Sequence, residues 1–134
     1  NIFYERLHLS AIREGGEPIL EVGKSGTRKM ISLIKSGGVI ALMIDQAVKE
    51  GKYFKFLGRP AKTSTSIAEI SLKYNALLIP AYGIRRHDRR IGVTFDKPIE
   101  LETVSSITKE MNASLEKRVK KYPTQWYWPH RRWK

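Results

Sequence analysis

Among the side chains able to carry chemistry, Asp45-Gln46 stands out, a carboxylate and an amide directly behind the apolar run Val39-Ile40-Ala41-Leu42-Met43-Ile44. In open α/β sheets ligands bind beyond the carboxyl ends of the strands, so such a pair can line a site; the same residue types also form turns. Proton transfer near neutral pH falls first to histidine, and the chain has three, His8, His87 and His130. None stands at a zinc-like spacing from another histidine or from a carboxylate pair, and cysteine is absent, so no metal site is expected. The lack of cysteine also removes any disulfide framework and fits a reducing compartment. Arg13 offers a guanidinium fork that matches phosphate, or an ordinary helix ion pair. Lys24-Ser25-Gly26-Thr27-Arg28 sets cations and hydroxyls at a helix start, where they serve an anion or a simple cap; it lacks a nucleotide-binding pattern.

The charge points to anionic partners. Lys and Arg number 25 against 13 acidic residues, a net charge of +12, and a field of that sign concentrates nucleic acid, anionic headgroups, phosphorylated glycolipid or acidic carrier proteins, or simply keeps the chain soluble. Residues 117–134 hold seven Lys or Arg and no acid, and all three tryptophans lie in the last nine positions. Cations interleaved with indoles suit a membrane interface, and equally suit stacked single-stranded nucleic acid. Arg85, Arg86, Arg89 and Arg90 cluster about one turn, where they face an acidic protein, headgroups or only solvent.

These groups need elements to hold them. With 41% hydrophobic and 28% charged residues the chain should fold rather than stay disordered, and 134 residues suffice for a single domain spanning 1–134. Its longest apolar run, 39–44, is far too short to span a bilayer. Periodicity predicts a helix over 2–14, stopped by Gly15-Gly16; an extended stretch over 18–22; and a helix to about Ser36 with Gly37-Gly38 as its cap. The run 39–44 then reads as a buried parallel strand, 47–62 as loop, and Thr63 or Ser64 to Tyr74 as a helix capped by hydroxyls. A second buried strand is expected over 76–82, with Pro80 marking an end or edge. After the basic turn Ile91, Val93 and Phe95 alternate as a strand, and Ile107, Met111, Leu115 and Val119 mark a helix over 105–122 that Pro123 ends. This order makes the fold class α/β, with a mixed, largely parallel sheet flanked by helices.

The ending Pro123-x-Gln125-Trp126-x-Trp128-x-His130-x-Arg132-Trp133-Lys134 resembles the C-terminal signature of the bacterial lipid A biosynthesis acyltransferases, of lauroyl or myristoyl type, within the lysophospholipid acyltransferase-like superfamily. Gly37-Gly38-Val39 through Asp45-Gln46 is similar to the family's glycine, strand and Asp-Gln block. Phe54-x-Phe56-x-Gly58-x-x-Ala61-x-Thr63 is similar to its following loop motif, and Asn112-x-x-Leu115-Glu116 to the segment before the tail. Arg13 falls where the family places an arginine ahead of the Asp-Gln block. The resemblance covers essentially the whole chain.

The resemblance implies a partial glycerolipid acyltransferase-like fold and direct acyl transfer from acyl carrier protein to an anionic glycolipid, a lipid A precursor, at the cytoplasmic face of the bacterial inner membrane. No cofactor is implied beyond that donor substrate. Family members carry His-x4-Asp or His-x4-Glu, whose histidine deprotonates the acceptor hydroxyl. Here His8 is followed five positions on by Arg13, His87 by Gly92, and His130 stands too near the end. No catalytic residue is therefore assigned in these residues. The general base and a membrane helix are expected on sequence upstream, the chain being a C-terminal portion that is inactive alone. Arg13, Asp45, Gln46 and Arg85 are the expected substrate-binding residues, and Phe54 and Phe56 border the acyl groove or simply belong to the core. Trp126, Trp128, His130, Arg132 and Trp133 are expected to meet the membrane or pack the tail against the sheet. A sheet short of strands would expose an apolar edge able to pair with a second copy. Competing readings are a phosphatidylinositol mannoside acyltransferase, a non-catalytic paralogue and a basic nucleic-acid-binding module.

Overall fold

The structure, a computed structural model, describes residues 19–21 and 23–133. The helix expected over 2–14, with Arg13 on it, lies outside the described residues, as do both Pro18 and Val22 of the expected extended stretch. The chain divides into two compact units, 1–41 and 42–134.

In the first unit helix α1 spans Lys24–Lys35. It starts at Gly23, whose carbonyl accepts from Thr27 N–H at 3.0 Å and Thr27 Oγ1 at 2.9 Å. It ends as the glycine pair requires: Gly37, at φ +78°, donates to Ile34 O, and Gly38 donates to Leu33 O at 2.8 Å. These two bonds satisfy carbonyls that the helix end would leave bare.

The second unit holds hairpin β1 (Lys52–Phe56) and β2 (Arg59–Thr63), helix α2 (Ser66–Tyr74), hairpin β3 (Ala81–Arg85) and β4 (Ile91–Phe95), and helix α3 (Val104–Lys121). A 3-10 turn over Pro123–Gln125 follows. Both hairpins are antiparallel, with Phe54 opposite Ala61 in one and Gly83 opposite Val93 in the other. Helix α3 is the spine. Thr103 and Ser106 form a reciprocal capping box at its start, which satisfies two orphan N–H groups. Its buried stripe, Ile107, Met111, Leu115 and Val119, repeats every four residues as the sequence predicts. The C-terminal half of that stripe packs with Phe56 and Ala61, and the N-terminal half with Ala68 and Ile99.

The expected parallel sheet is not what the described residues form. Their two sheets have two strands each, both antiparallel, so helices and small sheets coexist without parallel pairing. Residues 39–44 make no ladder, and Val39 and Met43 are 95% and 96% exposed. An apolar run of strand composition still needs a neighbour to take its N–H and C=O groups, and no described segment supplies one. The strand expected over 76–82 starts only at Ala81. Before it Leu78 makes a single antiparallel bridge to Ile99, and Pro80, which has no N–H, only accepts from Asp96 N at 2.9 Å. Residues 47–62, expected to be loop, hold all of the first hairpin but its last residue, Thr63. Helix α2 starts at Ser66 rather than Thr63 or Ser64, because Thr63 is the last residue of β2.

Candidate functional site

The chain bends at Asp45-Gln46, with Asp45 half-buried and Gln46 exposed. The next amide, Ala47 N–H, donates to His130 Nε2 at 2.6 Å. That bond needs a free lone pair on Nε2, so the ring proton of the neutral imidazole sits on Nδ1. A histidine of the tail thus holds the backbone beside the bend.

Two residues further on, Arg132 is wholly buried. Its Nη2 donates to Thr63 Oγ1 at 2.9 Å, its Nη1 donates to Lys62 O, and its guanidinium lies 5.2 Å from the centre of the Phe56 ring. Burial pulls its pKa below the usual arginine value, and the negative charge of Asp45 opposes that pull. Arg132 Nε is buried without a hydrogen-bond partner in the structure. Asn112 Nδ2 joins the cluster by donating to Thr63 Oγ1 at 3.4 Å.

The indoles complete the clasp. Trp126 and Trp133 pack on Phe56 with ring centres 5.6 and 5.8 Å away, and Trp133 Nε1 donates to Phe56 O at 3.1 Å. Trp128 leans edge-on against Trp126 and donates to Pro123 O at 2.6 Å. Gln125 grips the end of β3 at two points: its Oε1 accepts from Arg85 N at 2.8 Å and its Nε2 donates to Arg85 O at 3.0 Å. A side-chain amide here takes the place of a neighbouring strand. The tail is therefore stitched to β1, β2, β3 and the Asp45 bend.

The expected site residues separate accordingly. Asp45, His130 and Arg132 come together, with Gln46 alongside. Arg85 is exposed at the far end of β3, beside a hollow of about 340 Å³ that Gly83, Ile91 and Gln125 also line. Phe54 faces an open groove, whereas Phe56 has no exposed surface and belongs to the core, so it offers no wall to a ligand.

A polar chain linking β3, the residue just after β4 and α3 escaped the sequence reading. Tyr82 Oη and Ser114 Oγ share a hydrogen bond of 2.6 Å, Ser114 Oγ donates to Asp96 Oδ2 at 2.7 Å, and Arg118 Nη2 donates to Asp96 Oδ1. The Ser114 hydrogen bond, reinforced by Arg118, holds the Asp96 carboxyl below the usual carboxylate range. Desolvation raises the Tyr82 phenol above its ordinary value. The only sequence signal was Ser114 and Arg118 at a four-residue spacing on α3, too common to single out. Among the described residues no group of three His, Asp or Glu side chains could hold a metal, and no helix is long and apolar enough to cross a membrane.

A comparison with curated proteins finds no match. The family described as bacterial lipid A biosynthesis acyltransferase matches residues 12–134, a stretch that holds the Asp45 bend, both hairpins, α3 and the whole tail clasp. The chain belongs to the bacterial lipid A biosynthesis acyltransferase family.

Proposed function

We propose that this chain supplies the Asp45-Gln46 wall of an acyl-transfer cleft, which moves a fatty acyl group from acyl carrier protein to a hydroxyl of a phosphorylated lipid A precursor. The acceptor oxygen attacks the thioester carbonyl, the hydroxyl proton passes to a base, and the C–S bond breaks to release the carrier as a thiolate that takes up that proton. No covalent enzyme intermediate is needed. The base belongs to a His-x4-acid pair, which none of the three histidines here supplies, and the reaction runs at the cytoplasmic face of the inner membrane. Asp45 and Gln46 position the acceptor by hydrogen bonds, while Arg13 and Arg85 neutralise its phosphates.

One observation carries the reading: within a chain of this family, the tail signature meets the Asp45-Gln46 bend, His130 accepting from Ala47 N–H and Arg132 lying in the field of Asp45. Two separated motifs with no contact along the chain thus share one place. The inward packing of Trp126 and Trp133 on Phe56 favours a structural clasp over a ladder of exposed rings for stacking bases.

The test is transfer of a labelled acyl group from acyl carrier protein to the phosphorylated disaccharide precursor. The 134 residues alone should be inactive, and the protein extended by its upstream reading frame, with a His-x4-acid pair, should be active. In that longer protein Asp45→Ala should lower kcat/KM by about 10- to 100-fold through misplacement of the acceptor. Turnover by the 134 residues alone would place the base within them, and an inactive extended protein would reject the function.

A further inference from the structure

One face of the second unit is used by nothing described so far. Between β1 and α3 runs an open groove of about 780 Å³. Its rim carries four lysines, Lys52 and Lys55 from β1 and Lys109 and Lys120 from α3, all exposed. The one acid in the lining, Glu116, is already engaged: its Oε1 accepts from Leu57 N–H at 2.7 Å and its Oε2 lies 3.5 Å from Lys120 Nζ. The floor is small and apolar, with Ala113 on the helix and Gly58 at the hairpin turn leaving room beside Phe54. Tyr53, 68% exposed, stands at the side.

Shape decides what such a groove accepts. Lys109 and Lys120 lie eleven positions apart on α3, about 16 Å along the axis at 1.5 Å per residue. They are too far apart to converge on one phosphate, and lysine is a point charge rather than a bidentate fork. A flat membrane surface cannot enter a cleft bounded by a hairpin and a helix. A single strand of nucleic acid would want successive exposed rings, and Tyr53 is one. An amphipathic helix of about three turns, with acids flanking an apolar stripe, matches the length, the cationic rims and the apolar floor together.

We infer that the groove between β1 and α3 is the docking face for an acidic helix of a partner protein. Under the acyl-transfer reading, on which only the partner's identity rests, that partner is the carrier that brings the thioester.

The experiment measures binding of purified acyl carrier protein to the chain, and its KM as donor in the extended protein, for K52E/K109E and for R86E/R89E at the β3–β4 turn. Reversal in the groove should weaken binding at least tenfold at low salt and flatten its salt dependence. It should also raise the donor KM with little change in kcat and leave the thermal melt in place, since both lysines are exposed. Unchanged affinity in K52E/K109E, or loss confined to R86E/R89E, overturns the assignment. So does a groove reversal that reduces capture of phosphatidylglycerol vesicles or an oligonucleotide and not of carrier protein. If the extended protein transfers acyl groups with an unaltered donor KM in K52E/K109E, the groove assignment fails and the function stands. If no transfer occurs while groove reversal still abolishes carrier binding, the function fails and the docking face stands.

Discussion

Arg132 is the residue on which the candidate site turns. A guanidinium without exposed surface has lost its hydration, and two hydrogen bonds, the Phe56 ring and the field of Asp45 are what compensate it. Truncation by Arg132→Ala strips Lys62 O of its donor and opens a void against Phe56, so a loss of about 2–4 kcal/mol is expected in chemical denaturation. Arg132→Lys should also destabilise, because a single ammonium cannot span both acceptors as the fork does. An Arg132→Met protein as stable as the original would show that burying the charge outweighs the bonds it makes. The position was legible as part of a terminal signature. Its wholly buried state was not, since arginine in a strongly basic tail reads as solvated until the acceptors at Lys62 and Thr63, some 70 residues earlier, are seen to face it.

Elements show where local pattern suffices and where it fails. Helix α3 was readable to within a residue or so, because its apolar stripe, its start and Pro123 all agree. Hairpin β1–β2 was not, because Gly58 and Pro60 punctuate the stretch like a loop, and the two-residue turn Leu57-Gly58 lacks the usual Asn-Gly pair. Leu57 adopts φ +48° all the same, held by its N–H bond to Glu116 and by packing on the Phe56 core. Gly58, at φ +82°, would place a Cβ in open space, so Gly58→Ala tests backbone strain alone and should lower stability by about 1 kcal/mol in thermal melts. The tie to α3 through Asp96, just past the end of β4, makes a different prediction. Its carboxyl titrates lower in the folded chain than the ordinary 3.8. The folded state therefore binds this proton less readily than the unfolded state, and the stabilisation is complete above that value and drains away as pH falls through the depressed one. Denaturation midpoints of the native chain and Asp96→Asn should differ at neutral pH and converge in acid, as pH falls below the ordinary 3.8 and through the depressed value. A gap that persists in acid would remove the carboxylate from the account.

Over the molecule as a whole, the sheet expected from the apolar runs and the two small hairpins observed differ for one physical reason. Residues 39–44 and 76–80 have the composition of buried strands, yet a strand is completed by a neighbour's hydrogen bonds, and composition cannot say whether that neighbour lies in the same residues. The result is visible on the surface: Val39, Met43 and Leu77 stand largely exposed, along with Val93 and Phe95 on β4. Backbone groups without a ladder beside apolar side chains form a template for pairing with another chain. The isolated 134 residues should therefore self-associate as concentration rises, seen as a growing mass in light scattering after size exclusion. Val39→Lys with Met43→Lys should suppress the growth while leaving the melt of the second unit's helices unchanged, because neither side chain is buried. Assembly that is unaffected by those two charges, yet abolished by lysine at Val93 and Phe95, would move the sticky edge to β4. A chain that stays monomeric throughout would mean these apolar faces find cover within the molecule itself.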